Sequence, residues 1–178
     1  MSFCGPFYLP GQALAQEKTA RPEHPALLFR LGPRTPEQIA AFYEARGFPA
    51  AAIDALNQTC FITVSMRNKS NKVIWLELKN WRLIAASGEI QRLKRSYWQQ
   101  LWSHLNVPQA NRSTFGWTLL PETRDLQPSE PVGGNITLPP TTEPFTLEAR
   151  FKTGREKRAG EIILRYDNVR CAGREAKQ

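Results

Sequence analysis

Histidine, cysteine and methionine are scarce in this chain of 178 residues, with two, three and two copies. His24 and His104 lie far apart and no two cysteines are close, so no zinc-type ligand spacing exists. Met66 alone offers no soft copper cluster. No window reaches the roughly 20 apolar residues that a membrane-crossing helix needs. A G-x-S-x-G elbow is missing, no Gly-rich loop precedes a helix, and no repeat recurs at a solenoid period. Large multi-domain enzymes, collagen-like repeats, coiled-coil rods and polytopic membrane proteins are excluded. No cofactor is indicated. Acidic residues are the minority, 16 Asp plus Glu against 24 Lys plus Arg, leaving a formal charge of +8.

What is present suffices for one core. The chain is 41% hydrophobic and holds five Trp, nine Phe and four Tyr, and its length suits a single ordinary domain.

Residues 1–16, MSFCGPFYLPGQALAQ, carry no charged side chain. Ala13-Leu14-Ala15 places small residues where a signal peptidase requires them, so cleavage is expected between Ala15 and Gln16. No basic residue precedes the apolar part, and Pro6, Pro10 and Gly11 interrupt it. Residues 1–15 therefore read as the remnant of a secretory signal peptide whose start lies upstream of Met1; a disordered tail and a packed arm are the alternatives. Cys4 lacks the preceding small residue of a lipidation site. Residues 16–26 read as an extended leader, 27–172 as one β-rich domain and 173–178 as a frayed tail. Removal of 1–15 leaves Cys60 and Cys171, an even pair suited to an oxidising space. Their bridge would close about 110 residues and stabilise the fold by on the order of 5 kcal/mol in the chain-entropy picture. Two separate buried thiols are the alternative. The expected location is periplasmic or extracellular, with the cytoplasm as the alternative.

Leu27–Leu31 suits a short strand. Thr35, Pro36 and Gln38 form a helix start, with Thr35 as cap and Gln38 reaching back to its amide. Ile39, Phe42 and Tyr43 follow at helical spacing, Gly47 and Pro49 stop the helix, and Ala50–Leu56 makes a second short one. From Cys60 the period becomes two: Cys60, Ile62, Val64 and Met66 alternate with a wetter face. A turn at 68–71 and a strand over Val73–Leu78 predict a hairpin with it, and Trp81–Ala85 a further strand. Residues 89–106 read as the best helix, with Leu93, Tyr97, Leu101 and Leu105 four apart. Pro108 stops it, and Phe115–Leu120 returns to strand. Gly133-Gly134 reads as a turn before a brief strand, Ile136–Leu138. Phe145–Lys152 and Glu161–Tyr166 form a second hairpin with a charged tip. The fold class expected is mainly β: an immunoglobulin-like β-sandwich decorated with one amphipathic helix and a short N-terminal helical segment. An OB-like partly open barrel is the alternative.

Function is harder to read. His104 reads as a surface histidine. Glu122 with Asp125, and Glu161 with Asp167, are carboxylate pairs, and a small enzyme with a carboxylate site is one alternative. Sixteen arginines suit phosphate contact; with Trp75 or Trp81 facing outward to stack bases, they would make an oligonucleotide-binding module, a second alternative. The leading expectation is a non-enzymatic exported interaction or assembly module that binds a protein or an anionic envelope component through loops or a strand edge. The contact regions expected are the hairpin tip, Arg155, Lys157 and Arg158, and the turns of 128–135.

Overall fold

Two apolar alternations, one starting at Cys60 and one at Phe145, become the central strands of two separate antiparallel sheets. A computed structural model describes residues 24–173; the expected cleavage site, most of the leader and nearly all of the tail lie outside the described residues. The elements in order are β1 (Leu27–Arg34), α1 (Pro36–Glu44), α2 (Ala50–Asn57), β2 (Cys60–Asn68), β3 (Ile74–Glu77), β4 (Arg82–Ala85), β5 (Gly88–Glu89), α3 (Arg95–His104), α4 (Gln109–Thr118), β6 (Thr123–Leu126), β7 (Pro131–Leu138), β8 (Phe145–Thr153) and β9 (Gly160–Val169). The chain is thus mainly β, with two open sheets and four helices among the described residues.

One sheet runs β1-β2-β7. In the other, β8 pairs with β9 along one edge and with β3 and β4 in succession along the other, and β6 and β5 lie outside those two. The three-residue 3-10 turn Leu78–Asn80 separates β3 from β4, so the pair acts as one interrupted strand against β8. Phe29, Ile62 and Val64 of the first sheet share a buried cluster with Leu76, Leu147 and Phe151 of the second. The first sheet's other side is covered by helices, where Phe61 joins Tyr43, Leu56, Trp98, Trp102 and Phe115. Each such large side chain stabilises the fold by roughly 1.5–3 kcal/mol through burial.

The cysteines are bridged, with Cα atoms 5.5 Å apart. Cys60 opens β2 and Cys171 follows β9, so the bond joins the two sheets.

Local expectations hold where the signal is local. Thr35 Oγ1 accepts from the Gln38 amide and the Gln38 side chain accepts from the Thr35 amide, both at 3.3 Å. The hairpin β8–β9 forms, with Phe145, Leu147, Ala149 and Phe151 buried.

Four expectations are corrected. Strand β2 does not form a hairpin with β3; β1 and β7 already occupy both its edges. The connecting turn is instead a corner between sheets, fixed by buried Asn68, whose Nδ2 donates to Lys72 O at 2.7 Å and to Leu126 O at 2.9 Å. The helix expected from 89 begins only at Arg95, because Ile90 N donates to Leu83 O and Leu93 N to Thr137 O, each at 2.8 Å. Its buried face carries Trp98 and Trp102, while Tyr97 of the four-spaced stripe is 43% exposed. Residues 109–118, with Phe115 among them, are helix rather than strand. Gly133 and Gly134 lie within β7, paired with Ser65 and Val64. A Cβ on Gly134 would stand 2.5 Å from Leu120 N, so the glycine admits a close backbone approach instead of making a turn.

Candidate functional site

The turn between α3 and α4 builds a cationic concavity in the helical layer. Asn106 ends α3 with φ of 52°. Its amide donates to Ser103 O at 3.2 Å and that of Val107 to Trp102 O at 2.9 Å, the paired bonds of a left-handed helix stop. Pro108 then fixes the entry to α4. Arg112 ties the second helix back to the first, donating from Nε to Val107 O at 2.6 Å and from Nη1 to Ser103 Oγ at 3.0 Å.

Between the helices lies a cleft of about 370 Å³. Trp98, Trp102 and Phe115 form its apolar base, and Arg95, Arg112 and Trp117 stand on its walls. The Arg95 guanidinium crosses over Gly116, whose imagined Cβ would lie 3.3 Å from Nη1. Trp102 is buried and its Nε1 has no hydrogen-bond acceptor. Trp117 is 89% exposed, far more than the next large apolar side chain among the described residues, Ile163 at 47%. No Asp, Glu, His or Cys lines the cleft, and neither arginine has a carboxylate partner among the described residues. The cleft can therefore attract negative charge and cover an apolar or aromatic group. Among its described residues it holds no general base.

The hairpin tip expected to bind a partner is organised differently. Lys157 Nζ lies 3.0 Å from Glu77 Oε1 and 5.0 Å from the Trp75 ring centroid. The hydrogen bond from Lys157, helped by Lys79, holds the Glu77 carboxyl below the usual carboxylate range. Arg158 pairs with Glu156 at 3.2 Å on the open surface, and Arg155 forms no ion pair among the described residues. No residue of the tip lines the α3–α4 cleft. Of the two tryptophans considered for stacking, Trp75 lies half-buried on the outer face of β3, opposite buried Ile74 and Leu76, with Nε1 donating to Gly154 O at 2.8 Å and Lys157 over its ring, whereas Trp81 is 5% exposed and faces the core. The segment expected to form turns at 128–135 is largely strand from Pro131.

The carboxylate pairs are tied to other groups. Glu122 accepts from Arg92 at 2.9 Å, and Asp125 accepts from Gln127 Nε2 at 3.1 Å. Glu161 lies 3.3 Å from Lys152. Asp167 accepts from Thr146 at 2.7 Å, which keeps its carboxyl ionised below the usual range. No cluster of three potential metal ligands exists among the described residues.

Sequence reasoning missed Trp117 because it depended on the period. In a strand, positions 115 and 117 share a face; in a helix they stand roughly 200° apart. Buried Phe115 therefore turns Trp117 outward once the segment is helical. Pro108 as a helix start was the signal available.

No helix among the described residues is long and apolar enough to cross a membrane. No protein-family model matches the sequence, and no curated protein does. Among solved structures, similarity is found to the yjhA protein of Bacillus subtilis, at 13% identity and a TM-score of 0.35, over 52% of this chain and 56% of that one. Similarity is also found to the ycdA protein of Bacillus subtilis subsp. subtilis str. 168, at 10% identity and a TM-score of 0.38, over 62% of this chain and 29% of that one.

Proposed function

We propose that this protein is a non-enzymatic, exported interaction module whose α3–α4 face docks an acidic segment of another protein. The observation that carries the reading is Trp117, 89% exposed beside two arginines without carboxylate partners. Solvent-exposed indole is costly in water, and Trp and Arg are the side chains that dominate interface energetics. The absence of acid from the cleft lining makes an anionic partner electrostatically complementary. The disulfide supports maturation in an oxidising compartment, periplasmic or extracellular. Two facing antiparallel sheets cross-linked by that bond support an immunoglobulin-like build. Arg155 and Arg158 at the hairpin tip are a second contact region in this proposal.

A second reading is an oligonucleotide-binding module, favoured by the same pairing of an open indole with guanidinium groups. It ranks below the first because strand binders stack successive bases on several rings, and among the described residues only one large aromatic is almost fully open.

Fluorescence anisotropy with a labelled glutamate-rich peptide and a labelled oligothymidylate tests both. The peptide should bind more tightly, and Trp117→Ala should weaken it by about tenfold or more. Tighter oligothymidylate binding with a steep salt dependence would favour the second reading. Binding insensitive to Trp117→Ala but lost on Arg155→Glu with Arg158→Glu would move the contact to the hairpin tip.

A further inference from the structure

A cavity of about 420 Å³ lies between α1 and the first sheet, and it shares no lining residue with the α3–α4 cleft. Its sheet side is a row of polar side chains, one from each strand. Thr63 of β2 stands opposite Asn135 of β7, and Arg34 of β1 lies diagonally beside Thr63. Ile39 and Phe42 of α1 supply an apolar wall, and Phe42 is 40% exposed.

Hydrogen bonds run along the row in one direction. Arg34 Nε donates to Thr63 Oγ1 at 2.9 Å, and the Thr63 hydroxyl donates in turn to Asn135 Oδ1 at 2.8 Å. The relay occupies the carbonyl of Asn135 and leaves its Nδ2 accessible, with no partner among the described residues. It holds the Arg34 guanidinium by Nε and leaves Nη1 and Nη2 unengaged among the same residues. Gln38, on the helix side, is set in the same way. Its Oε1 accepts from the Thr35 amide, and Nε2 is left over. Asn and Gln ordinarily offer an acceptor as readily as a donor. Here both acceptors are taken within the fold, so donors dominate what a ligand meets. No carboxylate lines the cavity, and Arg34 forms no ion pair among the described residues.

We propose that this cavity binds a small monocarboxylate with an apolar body. One lining cation matches one negative charge, and the two Nη atoms of a guanidinium match the two oxygens of a carboxylate. Asn135 Nδ2 and Gln38 Nε2 add neutral donors, and the apolar body covers Ile39 and Phe42. A phosphomonoester would bring nearly two charges to a single arginine. The site goes beyond the docking role of the Trp117 face and does not rest on it.

The test is calorimetric titration of the whole protein with 3-phenylpropanoate and with its neutral counterpart, 3-phenylpropan-1-ol. The acid should bind saturably, and the alcohol about tenfold more weakly or worse. Arg34→Gln should weaken the acid about tenfold. Asn135→Asp keeps the acceptor for Thr63 but puts negative charge in place of the free donor, and should weaken the acid at least as much. Trp117→Ala should leave the affinity unchanged. Circular dichroism of each variant establishes that it is folded, and the comparison of acid with alcohol needs no variant at all. Absence of saturable acid binding, equal binding of acid and alcohol, or an affinity that Arg34→Gln leaves unchanged overturns the proposal. Acid binding lost in Trp117→Ala also overturns it, by placing the acid in the α3–α4 cleft.

Discussion

Lys157 at the hairpin tip and Glu77 at the end of β3 form an ion pair, 3.0 Å from Nζ to Oε1, with the Glu77 side chain only 10% exposed. The pair ties the tip to the sheet, and Arg155 and the Arg158–Glu156 pair face outward. Because the Glu77 carboxyl is held below its ordinary range by Lys157, the pair contributes stability above the unfolded carboxylate pKa. That contribution is lost as pH falls through the folded value. Lys157→Gln should lower the urea midpoint at neutral pH, and the gap to the parent should close as pH falls through the folded Glu77 value, because acid removes from the parent the pair that the variant already lacks. Superimposable midpoint-against-pH curves would show that the pair is energetically idle.

A buried relay joins the helical layer to the first sheet. Trp98 Nε1 donates to Thr137 Oγ1 at 2.9 Å, and Thr137 donates onward to Leu93 O at 3.0 Å. Thr137→Val leaves a buried N–H and a carbonyl unmatched, and should cost about 1–3 kcal/mol. Thr137→Ser, which keeps the hydroxyl, should recover most of the loss. Denaturant unfolding of the two variants checks this; equal losses would remove the hydrogen bonds as the cause.

Gly134 makes a sharper steric claim. A methyl group there meets Leu120 backbone atoms at 2.5 and 2.7 Å, while one on Gly133 meets Val64 O at 3.4 Å. Gly134→Ala should destabilise by about 1–3 kcal/mol, as overpacking does, and Gly133→Ala by clearly less. Thermal unfolding of both variants decides it, and equal shifts would contradict the account.

How much of this was readable in advance follows from how local each determinant is. The Thr35–Gln38 box and the β8–β9 hairpin lie within short stretches whose chemistry points one way. The Cys60–Cys171 bond was suggested by parity, although its separation is 111 residues. The partners of β2 come from residues 27–34 and 131–138, and no local pattern announces pairing at that distance. Gly134 resembled a turn residue because the close approach of Leu120 is invisible in sequence. The cleft was hidden for a related reason: Trp117 faces outward only because residues 109–118 are helical, and their apolar spacing is too sparse to distinguish the two periods.

The Cys60–Cys171 bond links the facing sheets near their ends. Its reduction, or Cys60→Ala with Cys171→Ala, should cost about 2–5 kcal/mol. Intact-mass analysis of protein from its native cell, with and without reductant, should show the gain of two hydrogens on reduction. Free alkylation of both thiols without reductant would contradict an oxidising location.

The proposed function requires that partners meet this protein on the helical face. Photo-crosslinking in the native cell tests it most directly, with a photoreactive residue placed at Gln99, which lines the cleft, or at Ile163, exposed on β9. A discrete adduct is expected from position 99, absent from position 163 and lost when Trp117→Ala is combined with it. Adducts from position 163 alone, or an adduct at position 99 that ignores Trp117, would contradict it.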